Sequence, residues 1–148
     1  MVNLWHPAHA HFFHYFVLQM QARGHELVLT ARDKEVTHQL LRSWAIPFTP
    51  IGMHAVNTMG KAAEMARVDL RLLKLARRSR PDVIVGISNL YGAQVAKLLG
   101  VPSYVFSDTE HAKLENSLAY PVARFIVVPT CYEGDLTCYE DKTVRYEG

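Results

Sequence analysis

Cysteine is scarce in this chain: Cys131 and Cys138, with six residues between them, are the two thiols among 148 residues. Two thiols cannot complete a four-thiolate zinc site or a disulfide framework, so reduced cytosolic thiols are expected. No apolar run approaches the roughly 18 residues of a membrane span, and no signal-peptide pattern opens the sequence. The expected compartment is therefore the cytoplasm. An excess of one charge is missing too. Lys and Arg number 16 against 14 Asp and Glu, with 49% hydrophobic and 20% charged residues. That balance excludes a disordered chain and a dedicated nucleic-acid binder. Internal repeats, low-complexity segments and a G-x-G-x-x-G dinucleotide fingerprint are also lacking, so no nicotinamide site is expected.

What is present is an alternation of strand and helix patterns. Val2–Trp5 reads as a first strand, followed by helical spacing over His11–Arg23, with Phe12 and Phe16 on the apolar face and Gly24 as the stop. Glu26–Thr30 is the next strand. Asp33 is placed to cap a helix over Lys34–Trp44, whose stripe is Val36, Leu40, Leu41 and Trp44. Pro47–Ile51 reads as an edge strand because its prolines cannot donate to a ladder. A loop at Gly52–Asn57 and a long helix from about Thr58 to Arg80 follow, closed by Pro81. Val83–Ile87 is a continuous apolar run of the kind a parallel strand covered on both faces shows. Helix at Gly92–Leu99, strand at Ser103–Phe106, helix at about Ala112–Val122 and strand at Phe125–Val128 complete the series. The rhythm predicts an α/β fold, a Rossmann-like doubly wound parallel sheet of order about 3-2-1-4-5-6, in one domain over residues 1–148. The chain opens inside its first strand and reaches Arg145-Tyr146-Glu147-Gly148 without a closing helix, so a longer protein is expected.

Charge is uneven along the chain. Residues 61–80 hold seven Lys or Arg against Glu64 and Asp69, while residues 129–148 hold five acids against Lys142 and Arg145. Arg67, Arg71, Lys74 and Arg78 form one helical stripe opposite Leu70 and Leu73, read first as a solvated face. The sharper alternative is peripheral contact with anionic lipid or an acidic partner.

In an open parallel sheet, ligands bind beyond the carboxyl ends of the strands, and three segments there hold the candidate residues. His6-Pro7-Ala8-His9-Ala10-His11 offers imidazoles able to take a proton from a hydroxyl, at a helix start whose free N–H groups would favour an anion. The bland alternative is that these histidines cap the helix or bond its backbone. Ser88 and Asn89 are suited to ligand hydroxyls or, equally, to capping the next helix. In Ser107-Asp108-Thr109-Glu110-His111, Asp108 or Thr109 fits an N-cap. Glu110 and His111 are suited to orienting a ligand hydroxyl or a histidine tautomer.

Four blocks then carry a resemblance: H-P-A-H-A-H-F-F, A-R-G-H-E-L-V-L-T-A-R-D, R-P-D-V-I-V-G-I-S and S-D-T-E-H-A-K-L-E-N. Over about residues 3–148 the chain resembles the bacterial and archaeal family called domain of unknown function 354. That family is similar to the glycosyltransferase-B superfamily and to the non-hydrolysing UDP-N-acetylglucosamine 2-epimerases. The resemblance implies the N-terminal, acceptor-side half of a two-domain glycosyltransferase. Its acceptor is a small molecule or a glycan- or lipid-linked group, and its nucleotide-sugar donor, of the UDP-sugar kind, acts as substrate with no further cofactor. The donor-binding C-terminal domain has no counterpart in these residues, so another domain or subunit would supply it and the chain alone is expected to be inactive. In related glycosyltransferases a G-H pair begins the first helix beside the acceptor. Here Ala8-His9 takes that place, which implies His9 as base or acceptor contact, His11 next, and Glu110 as a further catalytic candidate. His6, Ser88, Asn89, Asp108, Thr109 and His111 become the substrate-binding candidates, and no metal is expected. Asn3 stands where relatives often carry Asp. Three other readings compete: an epimerase acting on the sugar of UDP-N-acetylglucosamine, a metal-dependent hydrolase built on His9 and His11, and a non-catalytic binding subunit.

Overall fold

Among the described residues, seven strands alternate with helices along the chain. A computed structural model describes residues 1–34, 36–52 and 58–147, with side chains from 66 onward in the last stretch. Of the loop expected at Gly52–Asn57, residues 53–57 therefore lie outside the described residues. The elements are β1 (Val2–Leu4), α1 (Pro7–Ala22), β2 (Leu29–Ala31), α2 (Thr37–Ser43), β3 (Thr49–Pro50), α3 (Thr58–Ser79), β4 (Ile84–Ile87), α4 (Leu90–Leu99), β5 (Ser103–Phe106), α5 (Lys113–Ala119), β6 (Phe125–Pro129), a 3-10 turn at Thr137–Lys142 and β7 (Thr143–Tyr146). The fold is α/β and Rossmann-like, as the alternation of patterns predicts. The chain divides into two compact units, Met1–Arg80 and Pro81–Gly148.

In the first unit β1 pairs parallel with β2, Asn3 opposite Thr30, and β2 pairs parallel with the two-residue β3. Helix α1 starts earlier than its spacing suggests and buries Ala10, Phe13 and Val17, while the expected apolar pair Phe12 and Phe16 stays partly exposed. The cause is composition: apolar residues circle nearly the whole helix, so periodicity alone does not select the inner face. Its end matches expectation. Gly24 takes φ +82°, and His25 N–H returns to Met20 O at 3.0 Å, satisfying a carbonyl the helix leaves open. Helix α2 is shorter than expected and has no side-chain cap; the Asp33 carboxylate instead lies 3.5 Å from His38 Nδ1. Val36 is exposed, and Leu41 carries the burial.

Helix α3 buries Val68, Leu72 and Ala76, one turn apart each. The stripe expected at Leu70 and Leu73 is thus displaced, and Leu70 is 66% exposed. Arg67, Arg71, Lys74 and Arg78 are all exposed, as read from their spacing. Among the described residues no helix is long and apolar enough to cross a membrane.

In the second unit β4 is buried throughout, pairs parallel with β5, and β5 pairs parallel with β6. The strand β7 was not anticipated: it pairs parallel with β6, from Ile126–Thr143 to Pro129–Tyr146. Its outward residues and acidic flanks hide the alternation that marks a buried strand. The core gathers Leu90, Ala93, Val105, Ala119, Tyr120, Ile126, Val128, Tyr132 and Leu136. Lys142 Nζ reaches across to donate to Tyr120 O at 2.6 Å and Ala123 O at 3.2 Å. A cation at the end of α5 complements the negative pole of that helix.

Candidate functional site

The first candidate segment is mostly helix, not loop. Pro7 occupies the first helical position, where its missing N–H costs nothing, and His6 is the N-cap in extended geometry. The cap uses an imidazole where Ser or Asp is usual: His6 Nδ1 accepts from Ala8 N–H at 3.2 Å. His9 N–H and Ala10 N–H both return to His6 O, at 3.0 and 3.4 Å. These bonds correct the expectation of free amides for an anion, because the helix start has satisfied its own donors. His9 Nδ1 accepts from Trp5 N–H at 3.3 Å, and the His6 and His9 rings lie 6.0 Å apart.

His11 lies elsewhere. Its ring meets the edge of Trp44 at 5.0 Å, and His14 stacks on the same indole at 4.1 Å and 12°. Residues two apart on a helix face different ways, which separates the H-x-H pair of the metal-hydrolase reading. Among the described residues, no group of three or more His, Cys, Asp or Glu is arranged to hold a metal ion. The partnership of His14 and Trp44 with His11 escaped the sequence reading; a wide-spaced H-x-x-H on one helix face was its signal.

The two remaining segments belong to the second unit. Asn89 is fully buried and caps α4, its Oδ1 accepting from Gly92 N–H at 3.1 Å. Ser88 holds φ +45°, a left-handed conformation that serine adopts at a cost of about 1 kcal/mol. Its N–H donates to Phe106 O at 2.9 Å and its carbonyl accepts from Leu90 N–H at 3.1 Å, which keeps the strained turn in place.

After β5, Thr109 Oγ1 accepts from His111 N–H at 3.2 Å, closing a small turn. Neither Asp108 nor Thr109 is the helix cap; α5 begins after Ala112 with no side-chain cap. Asp108 and His111 are exposed. Glu110 Oε1 accepts from Glu133 N–H at 3.1 Å, so its carboxylate ties this segment to the stretch after β6. Its own backbone N–H first, and that of Glu133 second, hold its carboxyl below the usual carboxylate range.

Beneath that segment lies polar structure that the sequence reading missed. Asn116, 5% exposed, donates through Nδ2 to Ser107 Oγ at 3.3 Å and Thr109 O at 3.4 Å. Its Oδ1 has no hydrogen-bond partner among the described residues. Tyr120 and Tyr132 hydroxyls meet at 3.2 Å in the core, and burial pushes the Tyr120 phenol well above its ordinary range. An asparagine at helical spacing from Ala119 and Tyr120, inside an otherwise apolar stripe, was the available clue. A concavity of about 540 Å³ opens beside β7, lined by Asp135, Thr137, Glu140 and Arg145 among others. None of the candidate site residues named from the sequence lines it.

Comparisons with known proteins align with this fold. The family model described as protein of unknown function (DUF354) matches residues 1–148. An uncharacterized protein of Methanocaldococcus jannaschii, MJ0665, is 27% identical over 128 residues, covering 86% of this chain and 38% of that protein. Among solved structures, MurG of Acinetobacter baumannii superposes with TM-score 0.70 at 18% identity, over 90% of this chain and 42% of that one. The glycosyltransferase SsfS6 of Streptomyces sp. SF2575 gives 0.68 at 17%, over 99% and 54%. The UDP-GlcNAc 2-epimerase of M. jannaschii gives 0.67 at 13%, over 87% and 38%. The solved structures share the Rossmann-like α/β fold of this chain, and the chain spans about two fifths to one half of each of the proteins compared.

Proposed function

This chain belongs to the family described as protein of unknown function (DUF354), and from that premise we propose that it is the acceptor-holding part of a nucleotide-sugar-dependent glycosyltransferase. A single arrangement carries the reading: the imidazole pair His6 and His9 stands directly after β1, at the carboxyl end of a strand in a glycosyltransferase-B type fold. The physical task of such a part is to hold one hydroxyl in place, and fixed orientation removes much of the entropic barrier to transfer. His9 is the residue this reading sets against the acceptor. His11, lodged against Trp44, and Glu110, tied to Glu133, are secondary candidates.

The name of one structural relative includes UDP-GlcNAc, which supports a UDP-sugar as donor. The donor's diphosphate would be neutralised by a further domain or a separate subunit, leaving this chain inactive by itself. The acceptor is a small molecule or a glycan- or lipid-linked group. The exposed cations of α3 suit an anionic bilayer surface, where a lipid-linked acceptor resides. The setting is cytoplasmic.

Titration of the 148-residue chain with UDP-sugars, followed by amide chemical shifts, tests the division of labour. No saturable donor binding is expected; tight saturable binding refutes it. The epimerase likeness supports a second reading, and products separate the two. Free UDP with a glycosylated acceptor favours transfer, and an altered sugar still attached to UDP favours epimerisation.

A further inference from the structure

Resting on the acceptor-domain reading, we propose that His9 orients the acceptor oxygen as a neutral hydrogen-bond donor through Nε2, and is not the base that removes the hydroxyl proton. The backbone decides the matter. Trp5 N–H donates to His9 Nδ1 at 3.3 Å, so that nitrogen presents its lone pair and carries no hydrogen. A neutral imidazole has a single N–H, which then resides on Nε2. A histidine that acts as base through Nε2 needs the opposite arrangement: Nδ1–H held by an acceptor and the Nε2 lone pair directed at the substrate. Here the neighbour of Nδ1 is a donor, and a backbone amide cannot exchange that role.

His6 follows the same rule. Its Nδ1 accepts from Ala8 N–H at 3.2 Å, so both rings, 6.0 Å apart, are held as Nε2–H tautomers by the chain that surrounds them. The amides of the helix start, at Ala8, His9 and Ala10, are satisfied internally. The contact with substrate is a hydrogen bond from Nε2–H to an oxygen lone pair, with no proton transferred.

The tautomer is read directly from long-range nitrogen–proton correlation spectra of the 148-residue chain, labelled at histidine nitrogen, at pH 7.5. His9 is expected to show a wholly unprotonated Nδ1 and a protonated Nε2. A protonated Nδ1, or a mixture of the two tautomers, overturns the proposal. The donor role is read from UDP release by the full-length protein given UDP-N-acetylglucosamine and a cell-extracted acceptor fraction. Gln at position 9 restores an N–H near Nε2 but cannot accept a proton, so His9→Gln should stay within about threefold of wild type. His9→Ala should lose about tenfold, the worth of one neutral hydrogen bond. If His9→Gln falls as far as His9→Ala, by the roughly 100-fold or more that a base contributes, the donor role is refuted. Absence of UDP release from the wild type sinks the transferase reading instead, and the spectrum still decides the tautomer.

Discussion

Replacing Thr30 with valine tests whether the buried polar pair at the base of the first strand stabilises the fold. Thr30 Oγ1 donates to Asn3 Oδ1 at 2.8 Å, and neither residue has any exposed surface. They are direct partners in the parallel pairing of β1 with β2. Valine matches threonine in shape and removes only the donor. The loss combines a net hydrogen-bond term of about 1 kcal/mol with part of the roughly 1–3 kcal/mol cost of desolvating the polar atoms of a buried pair. An expected loss of about 2 kcal/mol corresponds, for a chain of this size, to a fall in Tm of roughly 4–8 °C. Urea unfolding should show a lower midpoint at unchanged slope. The double variant Asn3→Leu with Thr30→Val should cost less than the sum of the two single changes, with a coupling above about 0.5 kcal/mol. A Thr30→Val chain as stable as wild type, or strict additivity in the double variant, would refute the argument.

Tyr120→Phe strands the buried Tyr132 hydroxyl and should cost about 1–2 kcal/mol in urea unfolding. Because folding raises the Tyr120 pKa, the unfolded chain releases that proton first; stability is complete below about pH 10 and declines above it, and the Phe variant should lose part of that alkaline decline. Glu110→Gln should speed hydrogen exchange at the Glu133 amide. With its carboxyl lowered in the fold, the wild-type stability from Glu110 is present above the ordinary carboxylate range and lost on acidification, a loss the Gln variant should not show. Ser88→Gly relieves a positive φ and should preserve or raise Tm, by up to about 1 kcal/mol of stability; a clear fall in Tm would show that the serine side chain outweighs the backbone strain.

The legible part of the fold is the part with contrast. Ile84–Ile87 and Ser103–Phe106 are short, apolar and bounded by turn residues, and both appear where their patterns place them. Gly24 and Gly100 mark helix ends because the chain needs positive φ there, +82° and +70°. Where contrast fails, so does the reading. Helix α1 is apolar on both sides, and its inner face is chosen by docking, not by its own pattern. Helix α3 carries leucine on either side of its cationic stripe, so Leu70 and Leu72 look alike in sequence although one is exposed and the other buried. Strand β7 lies among polar residues, and only its partner β6 reveals it.

The candidate residues were legible by type and hidden by direction. His6, Asn89, Thr109 and Glu110 were all named for what they offer a ligand, yet each accepts a backbone N–H: from Ala8, Gly92, His111 and Glu133. The reason is general. Turns beyond the carboxyl ends of strands leave amides without strand or helix partners, and nearby side chains with lone pairs are drawn to them. A polar residue in such a turn therefore meets the needs of its own backbone before those of a substrate. For a carboxylate or amide this uses one acceptor of several. For an imidazole it settles far more, since occupation of one nitrogen by a donor determines the hydrogen on the other. Two histidines of identical sequence appearance thus present opposite chemistry according to whether the nearest backbone group is N–H or C=O, and at His9 that group is the N–H of Trp5.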